Sequence, residues 1–239
     1  EDDDVDDSMT YDTIKSEFEK EVFKIKYNAE FGIEKNGRVI IMKKKDLIIA
    51  YEELTFFDTK FVKEGKTSVE KQVEEKFLPK WFADKEKRQY DNVDFIPRPL
   101  ICPENVYNLW NGFDIEKQDV EPKDCSKILV LINVLCNNDV DSSEYVLDWL
   151  AQLMQYPAIK TGTAIILKSK QGAGKGTLVE ILRVMMGSYV GETSNPAQDI
   201  FGSHGNIHIG KILTSLDEVK NSDTIKTLGR LKNLITSSK

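Results

Sequence analysis

The sequence has few of the residues that bind transition metals, and it has no long apolar run. Its only histidines are His204 and His208, and its three cysteines (Cys102, Cys125 and Cys136) are widely spaced without a C-x-x-C pair. A zinc cluster is therefore not expected, and the cysteines indicate free thiols in a reducing compartment.

No apolar stretch approaches the roughly 18 residues that span a membrane, and no signal peptide is visible. We expect a soluble, intracellular chain without a membrane partner. Because it does not begin with methionine, we expect it to be a piece of a longer protein.

Acidic residues are concentrated at the N-terminus. Six of the first seven residues are acidic, so most of the formal net charge of −7 belongs to residues 1–9, which we expect to form a disordered tail. Residues 160–239 carry 11 Lys or Arg against 6 Asp or Glu, a local excess of positive charge. Such an excess suits a polyanionic partner, although a solvated surface has the same composition.

A glycine-rich loop is the strongest motif in the chain. The apolar, β-branched run at residues 163–168 predicts a buried strand, and apolar residues at helical spacing follow the loop. The glycines let backbone N–H groups turn inward, and the helix N-terminus adds positive potential. Strand, glycine loop, lysine and helix are the layout of a phosphate-binding P-loop. The predicted ATP-binding residues are Gly172, Ala173, Gly174, Lys175, Gly176 and Thr177.

This loop departs from the usual G-x-x-x-x-G-K-[ST] spacing in two ways. Its first position is Ser169 instead of glycine, and Gly176 follows Lys175, so the hydroxyl that would meet Mg²⁺ is that of Thr177. Lys175 is predicted to reach the outer phosphates and to act in catalysis. A glycine-rich strand-to-helix turn that binds nothing is the alternative interpretation.

Two adjacent carboxylates end a later apolar run. Residues 211–216 predict a strand parallel to the P-loop strand, and Asp217 and Glu218 follow it. We expect Asp217 to hold Mg²⁺ beside Lys175 and Glu218 to polarise the attacking water as the second catalytic residue. An Asp-Glu pair is also a common surface feature.

The last helical pattern, at residues 223–235, carries cations away from its apolar face. Lys226, Arg230 and Lys232 are candidate contacts to a nucleic-acid backbone. A solvated helix face is an equally good interpretation.

The chain divides into three predicted parts after its tail. Residues 10–96 predict a small α+β accessory domain, residues 97–158 a proline-rich connector with a helical collar, and residues 159–239 a truncated P-loop ATPase core. The collar helices are expected at residues 126–136 and behind Ser142.

Within the accessory domain, a helix is expected from residue 12 and a hairpin around Asn36-Gly37. Asp46 is expected to cap a second helix. Residues 58–68 are expected to form a charged loop. Residues 69–87 are predicted to be helical, because apolar residues recur there every four positions.

Several short motifs occur in order along the chain. They are Trp81, Arg88 to Tyr90, Asp94 to Pro97, Asn108 to Phe113, Trp149 to Pro157, the loop Gly172 to Thr177, Asp217-Glu218, and Leu231 to Thr236. Together they resemble the helicase part of the viral, phage and plasmid primase-helicases, the poxvirus-type branch of superfamily 3. The resemblance covers most of residues 77–239, and residues 1–76 match only loosely.

The resemblance implies an α/β P-loop NTPase of the AAA+ type. Its parallel sheet core would be incomplete at the C-terminus, and a small α+β domain and a helical collar would precede it. The implied function is an ATP-dependent replicative helicase. Such a protein would move along single-stranded DNA as a hexameric ring, unwind forked DNA and work with a primase domain in the same protein or complex.

Family members continue beyond the motif ending at Thr236 into a DNA-contacting hairpin, a sensor residue and an arginine finger. This chain ends at Lys239. Because an arginine finger contributes about 10³ to 10⁵ in rate, we expect the segment to bind nucleotide but hydrolyse it poorly.

Two other functions fit the same loop. Gly-Ala-Gly-Lys-Gly-Thr is also the loop of adenylate kinases, although only 62 residues follow Thr177 and those enzymes need a long lid there. A non-catalytic assembly module, in which nucleotide stabilises a ring, is the other alternative.

Overall fold

The computed structural model of the chain describes residues 10–35, 38–64, 67–119, 121, 124–202, 208–217 and 221–237, with the backbone alone at 62–64, 67 and 221–227. The chain divides into two compact units, residues 1–94 with 102–109 and residues 95–101 with 110–239. We refer to them as unit 1 and unit 2. Within the described ranges, no helix combines the length and apolar composition that crossing a lipid bilayer requires. The three cysteines are free.

Unit 1 begins with a helix that leads into a mixed sheet. Helix α1 (Tyr11–Glu21) is capped by the Thr10 hydroxyl, which accepts the N–H of Thr13 at 3.4 Å. The sheet has the order β3-β2-β1-β6, built from β1 (Val22–Ile25), β2 (Glu30–Lys35), β3 (Arg38–Met42) and β6 (Gln89–Tyr90). β2 is antiparallel to β1 and β3, and β6 is parallel to β1. The predicted first helix and hairpin are confirmed, although the turn residues Asn36 and Gly37 lie outside the described chain.

Three expectations for residues 46–87 are wrong. Helix α2 (Lys44–Ala50) has Lys43 at its N-cap, so Asp46 lies in its first turn instead of capping it. Residues expected as a loop and a long helix form an antiparallel ribbon of β4 (Thr55–Glu64) and β5 (Thr67–Lys76). Of the residues predicted to be helical at 69–87, those at Phe77–Ala83 do form a helix, α3.

The physical reason is an ambiguity in the apolar spacing. A period of four places side chains on one face of a helix, but because four is a multiple of two it also places them on one face of a strand. Val69 and Val73 share a strand face in β5, whereas Phe77 and Trp81 share a helix face in α3.

Unit 1 has an aromatic core. α1, α2 and α3 pack on the sheet around Phe18, whose ring lies edge-on to Tyr51, Phe77 and Trp81 at centroid distances of 5.0 to 5.1 Å. Trp81 is fully buried, and its indole N–H donates to the Glu19 carboxylate at 2.7 Å. The parallel pair β7 (Asn92–Asp94) and β8 (Val106–Asn108) completes the unit.

Unit 2 is mainly helical. Its elements, in chain order, are a 3₁₀ turn (Asp114–Lys117), α4 (Ser126–Leu135), α5 (Val140–Gln155), α6 (Lys175–Met186), a 3₁₀ turn (Gly187–Tyr189), β9 (Val190–Thr193), α7 (Pro196–Asp199), β10 (Leu213–Leu216) and α8 (Asn221–Thr236). The predicted helices at α4, α6 and α8 are confirmed. α5 begins earlier than expected, because the Asp139 side chain caps it by accepting the N–H of Ser142 at 2.9 Å.

The two strands of unit 2 are parallel neighbours in the register Leu213↔Val190 to Leu216↔Thr193. Within the described residues, the segment 163–168 is not a strand and β10 pairs with β9 alone. The prediction that a strand at 163–168 neighbours β10 is therefore wrong. Side chains in this segment do alternate: Ile165 and Leu167 pack on the core, while Ile166 is 89% exposed. A period of two reports an extended chain but cannot report a hydrogen-bonded partner.

Taken together, the chain is a mixed α/β protein with small separate sheets and, in the described residues, eight α-helices.

Candidate functional site

The glycine loop leads directly into helix α6. Gly172 and Gly174 have φ angles of 82° and 97°, the left-handed region that glycine adopts without strain. The helix begins at Lys175, and the N–H of Leu178 makes its first bond, to the Gly174 carbonyl at 3.1 Å. The three preceding N–H groups, from Lys175 to Thr177, have no acceptor within the helix. They are donors at the positive end of a helix dipole, which suits an anion.

Lys175 reaches back across this loop. Its ammonium donates to the Ser169 hydroxyl at 2.7 Å and to the Ser169 carbonyl at 3.4 Å. Lys175 therefore joins the two ends of the loop by binding Ser169, the residue that replaces the first glycine of the usual motif. Sequence reasoning treated Ser169 only as a departure from the motif and missed this contact. The sequence shows that Ser169 lies six residues before Lys175, but it does not show that the two side chains meet.

The outer side of the loop is open. Gly172, Gly176 and Thr177 are exposed, and Ala173, Gly174 and Lys175 are half-buried. Apart from neighbouring backbone, a Cβ placed on Gly172 or on Gly176 would meet no atom of the described residues within 4 Å. The predicted ATP-binding residues thus lie along one partly exposed stretch of backbone.

The inner side of the loop rests on the core of unit 2. Leu178, Leu182 and Met186 form the buried face of α6. At Gly174, the Leu131 side chain of α4 occupies the space beside the backbone: a Cβ on Gly174 would lie 2.7 Å from Leu131 Cδ1. Sequence reasoning did not single out Leu131, because nothing in a sequence tells which apolar residue of α4 meets the loop.

The far end of α6 is also held tightly. Gly187 ends the helix with a φ of 62°, a value that glycine adopts without strain. The Asp114 carboxylate fills the space that a Cβ on Gly187 would need. Two glycines therefore delimit α6, and each is approached closely by a side chain from another element.

The aromatic motif before α4 supports the same end of the helix. Trp110 and Phe113 pack on Tyr189 with centroid distances of 4.6 and 6.0 Å. The Tyr189 hydroxyl donates to Asn111 Oδ1 at 2.9 Å and accepts the Asn111 N–H at 3.0 Å. Burial raises the pKa of Tyr189, which keeps its proton available for this bond. The motif is used here for packing.

Asp217 follows β10 at the carboxyl end of the parallel pair. Its side chain is exposed, and its N–H donates to the Thr193 carbonyl at 3.0 Å, which continues the ladder. Thr193 is buried, and its hydroxyl donates to Asp199 at 2.5 Å and accepts the Asn195 N–H at 2.9 Å. This network positions the backbone that delivers Asp217. Glu218 lies outside the described residues.

Within the described residues, no group of three or more His, Cys, Asp or Glu side chains is placed to hold a metal ion. Thr177 offers a hydroxyl oxygen and Asp217 a carboxylate. This fits the way Mg²⁺ binds in phosphate-transfer sites, where one or two protein oxygens are joined by phosphate and water. Their joint role stays a prediction.

The candidate DNA-contacting residues lie on α8. The Arg230 guanidinium lies over the Phe201 ring, 4.4 Å from its centroid, and donates to the Phe201 carbonyl at 3.2 Å. Lys232 is exposed. Only the backbone of Lys226 is described. Contact of these three residues with nucleic acid stays a prediction.

Comparison with known proteins reveals a shared fold. No protein-family model and no curated protein sequence matches this chain. One solved apo structure of the NrS-1 C-terminal region is similar, with a TM-score of 0.65 and 23% identity over 90% of this chain and 47% of that one. A second apo structure of that region has a TM-score of 0.63 and 22% identity over 98% of this chain and 52% of that one. This chain thus spans about half the length of the solved chains that it matches, and it shares their fold.

Proposed function

We propose that the chain is the nucleotide-binding part of an ATP-dependent DNA helicase of the superfamily 3 type, the helicase part of a primase-helicase. The observation that supports this most strongly is the ammonium of Lys175, held across a loop with two left-handed glycines at the start of a 12-residue helix. Such a loop presents several N–H donors and a positive charge to the same small volume. Polyphosphate is the ligand class that uses all of them.

In this proposal the residues divide the work by their chemistry. Backbone N–H groups from Gly172 to Thr177 bind the phosphates, and Lys175 exchanges its bonds to Ser169 for bonds to the outer phosphate oxygens. Thr177 and Asp217 would hold Mg²⁺, which would neutralise negative charge on the phosphates. Glu218 would orient and polarise the attacking water.

The remaining parts of the proposal concern the whole protein. A helicase couples the nucleotide site to movement on single-stranded DNA. We place the DNA contacts on α8, at Lys226, Arg230 and Lys232, in a hexameric ring that carries or accompanies a primase domain. The local excess of basic residues after residue 160 supports a polyanionic partner for this half of the chain.

Lys175→Ala in the longer protein that contains this chain tests the nucleotide site. A hydrogen bond to a charged group contributes about 1.5–3 kcal/mol, so we expect ATP to bind about 10- to 150-fold more weakly. DNA-stimulated ATPase and the unwinding of forked DNA should be lost. The matched control is Lys168→Ala, an exposed lysine on the approach to the same loop. Full ATPase and unwinding in Lys175→Ala would rule out the assigned loop.

The salt dependence of single-stranded DNA binding tests the contacts on α8. Each phosphate contact contributes about 0.7 to the slope of log affinity against log salt, so Lys232→Ala should reduce that slope by about this amount. Lys85→Ala, an exposed lysine in unit 1, is the control. An unchanged slope in Lys232→Ala would remove this residue from the DNA interface.

A nucleotide-dependent assembly module is the second candidate. The exposed apolar side chains in unit 2 favour it: Val130 and Val134 on α4 are 61% and 54% exposed, and Ile166 beside the loop is 89% exposed. Contiguous exposed apolar surface commonly marks an interface. Sedimentation with ATP and with ADP, together with DNA-stimulated ATPase, separates the two functions. Assembly without turnover in the longer protein would favour the module over the helicase.

A further inference from the structure

We propose that Leu131 is a positioning residue for the phosphate-binding loop, an inference that rests on the proposed nucleotide site. Leu131 lies on α4, which packs against α6. Among the described residues, Leu131 Cδ1 is the only atom beyond the glycine's own chain neighbours that would come within 4 Å of a Cβ on Gly174. The methyl group therefore touches the loop where the absence of a side chain permits close approach.

The contact falls on the residue that sets the direction of the N–H groups. Gly174 is the N-cap of α6, with φ and ψ of 97° and 7°. Its carbonyl accepts the first helical bond, from Leu178, at 3.1 Å. A rotation of the Gly174 backbone would break that bond and turn the N–H groups of the first helical turn. Because the Leu131 methyl occupies the adjacent space, it restricts such a rotation.

Among the described residues, Leu131 is the side chain that a Cβ on Gly174 would meet. The body of α6 is fixed by its buried leucines and by Met186, and its far end by the Asp114 carboxylate over Gly187. By contrast, a Cβ on Gly172 or Gly176 would meet no described atom within 4 Å beyond the neighbouring backbone. Without the leucine, the helix would keep its place while its N-terminal loop gained freedom. Binding a phosphate chain would then require that freedom to be lost.

The test compares two leucines of the same helix. Leu135 is one turn after Leu131 on α4 and packs on the same core. In the longer protein, Leu131→Ala should weaken the binding of Mg²⁺-ATP about fivefold, equivalent to about 1 kcal/mol, whereas Leu135→Ala should change it by less than about twofold. Leu131→Met restores the contact with a flexible side chain and should recover most of the affinity. Equal weakening by Leu131→Ala and Leu135→Ala at matched thermal stability would overturn the inference.

Amide hydrogen exchange without nucleotide makes the result independent of the proposed function. Residues 172–178 should exchange faster in Leu131→Ala than in Leu135→Ala, while the rest of α6 exchanges alike in both variants. If the unsubstituted protein binds no Mg²⁺-ATP but this difference in exchange is present, the proposed function fails and the positioning role stands. If Mg²⁺-ATP binds and the two leucine variants exchange alike, the positioning role fails and the nucleotide site stands.

A double-mutant cycle supplies a second check on the contact itself. Gly174→Ala adds a methyl group in the space that Leu131 occupies, so its effect on loop exchange should be smaller in a Leu131→Ala background than in the unsubstituted protein. Independent, additive effects of the two substitutions would contradict a direct contact.

Discussion

Glycine serves different purposes in the two units. In unit 1, Gly32 lies under the ring of Phe23, and a side chain there would collide with that ring. In unit 2, glycines turn the backbone. All six of the described glycines with positive φ belong to it: Gly112, Gly162, Gly172, Gly174, Gly187 and Gly210. Glycine makes room for one aromatic ring, that of Phe23, in unit 1 and shapes loops in unit 2.

The hydrophobic cores of the two units also differ in composition. Unit 1 packs large rings edge to face around Phe18 and Trp81, and the Trp81 indole N–H donates to the Glu19 carboxylate. Unit 2 packs mainly aliphatic side chains around α6, the helix that carries the candidate loop. Two of the glycines with positive φ, Gly172 and Gly174, lie in the candidate loop, where exposed N–H groups must be held in directions that regular structure does not provide. The substitutions below test whether the two units depend on these different features, from the largest expected effect to the smallest.

Trp81→Ala should cause the largest loss of stability. The indole is fully buried, contacts several rings and donates to Glu19, so its removal should cost unit 1 about 3–5 kcal/mol. Urea denaturation followed by near-ultraviolet circular dichroism would measure this. Phe61→Ala, at a ring that is 75% exposed, should change stability by less than about 0.5 kcal/mol. Equal effects would show that the aromatic cluster is not what stabilises unit 1.

Met186→Ala should be the corresponding lesion in unit 2. Met186 is fully buried at the end of α6, so we expect a loss of about 2–4 kcal/mol. Val184 lies on the same helix but is 73% exposed, and Val184→Ala should have a small effect. The two denaturation midpoints are to be compared by helical circular dichroism. A small effect of Met186→Ala would contradict the view that the candidate loop rests on a packed helix.

Unit 1 should lose stability in acid through Asp84. Its carboxylate accepts bonds from Lys15 at 2.7 Å, Tyr11 at 2.7 Å and the Glu86 N–H at 2.8 Å. The bond from Lys15, helped by the others, lowers the pKa of Asp84 from 3.8 to about 2. A carboxyl whose pKa is lower in the folded state stabilises the fold above its unfolded pKa, and this contribution is lost as the pH falls.

The stability of unit 1 should therefore fall between about pH 4 and pH 2, and Asp84→Asn should flatten that part of the profile. Urea midpoints collected across this range measure the effect. Glu70→Gln, at an exposed carboxyl on β5 of unit 1, is the control and should keep the acid transition. An acid transition of the same size in Asp84→Asn would assign it to other carboxyls.

Gly176→Ala should have the smallest effect, with the opposite sign. Gly176 lies in the first turn of α6, and a Cβ there would meet no atom outside the helix backbone within 4 Å in the part of the chain that the structure describes. Alanine in a helix is more stable than glycine, so the nucleotide-free protein should gain about 0.5–1 kcal/mol. The same methyl group would stand beside an N–H that is proposed to bind phosphate, so it should weaken ATP binding. Thermal denaturation and nucleotide titration measure the two effects, and unchanged affinity would argue that phosphate does not approach this residue.

Local elements were predictable where one pattern allowed one interpretation. Four predicted helices have helical apolar spacing together with a cap, a glycine stop or a proline-free run. All four are present in the structure, as α1, α4, α6 and α8. The β4–β5 ribbon was missed because apolar residues four apart fit a strand face as well as a helix face. The two interpretations differ in the hydrogen-bonded partner, which is the preceding turn in a helix and the adjacent strand β4 in this ribbon.

At the candidate site, the residue types and their order were readable, but their supports were not. The sequence alone determined that a glycine loop, a lysine and a helix follow one another, since φ freedom, charge and apolar period are local properties of these residues. The tertiary structure decided which strand adjoins Asp217, that Ser169 receives the Lys175 ammonium, and that Leu131 lies against Gly174. The first and third facts depend on distances between segments far apart in the chain, and the second depends on how the loop between Ser169 and Lys175 closes. Such distances follow from the packing of whole elements and from no single stretch of residues.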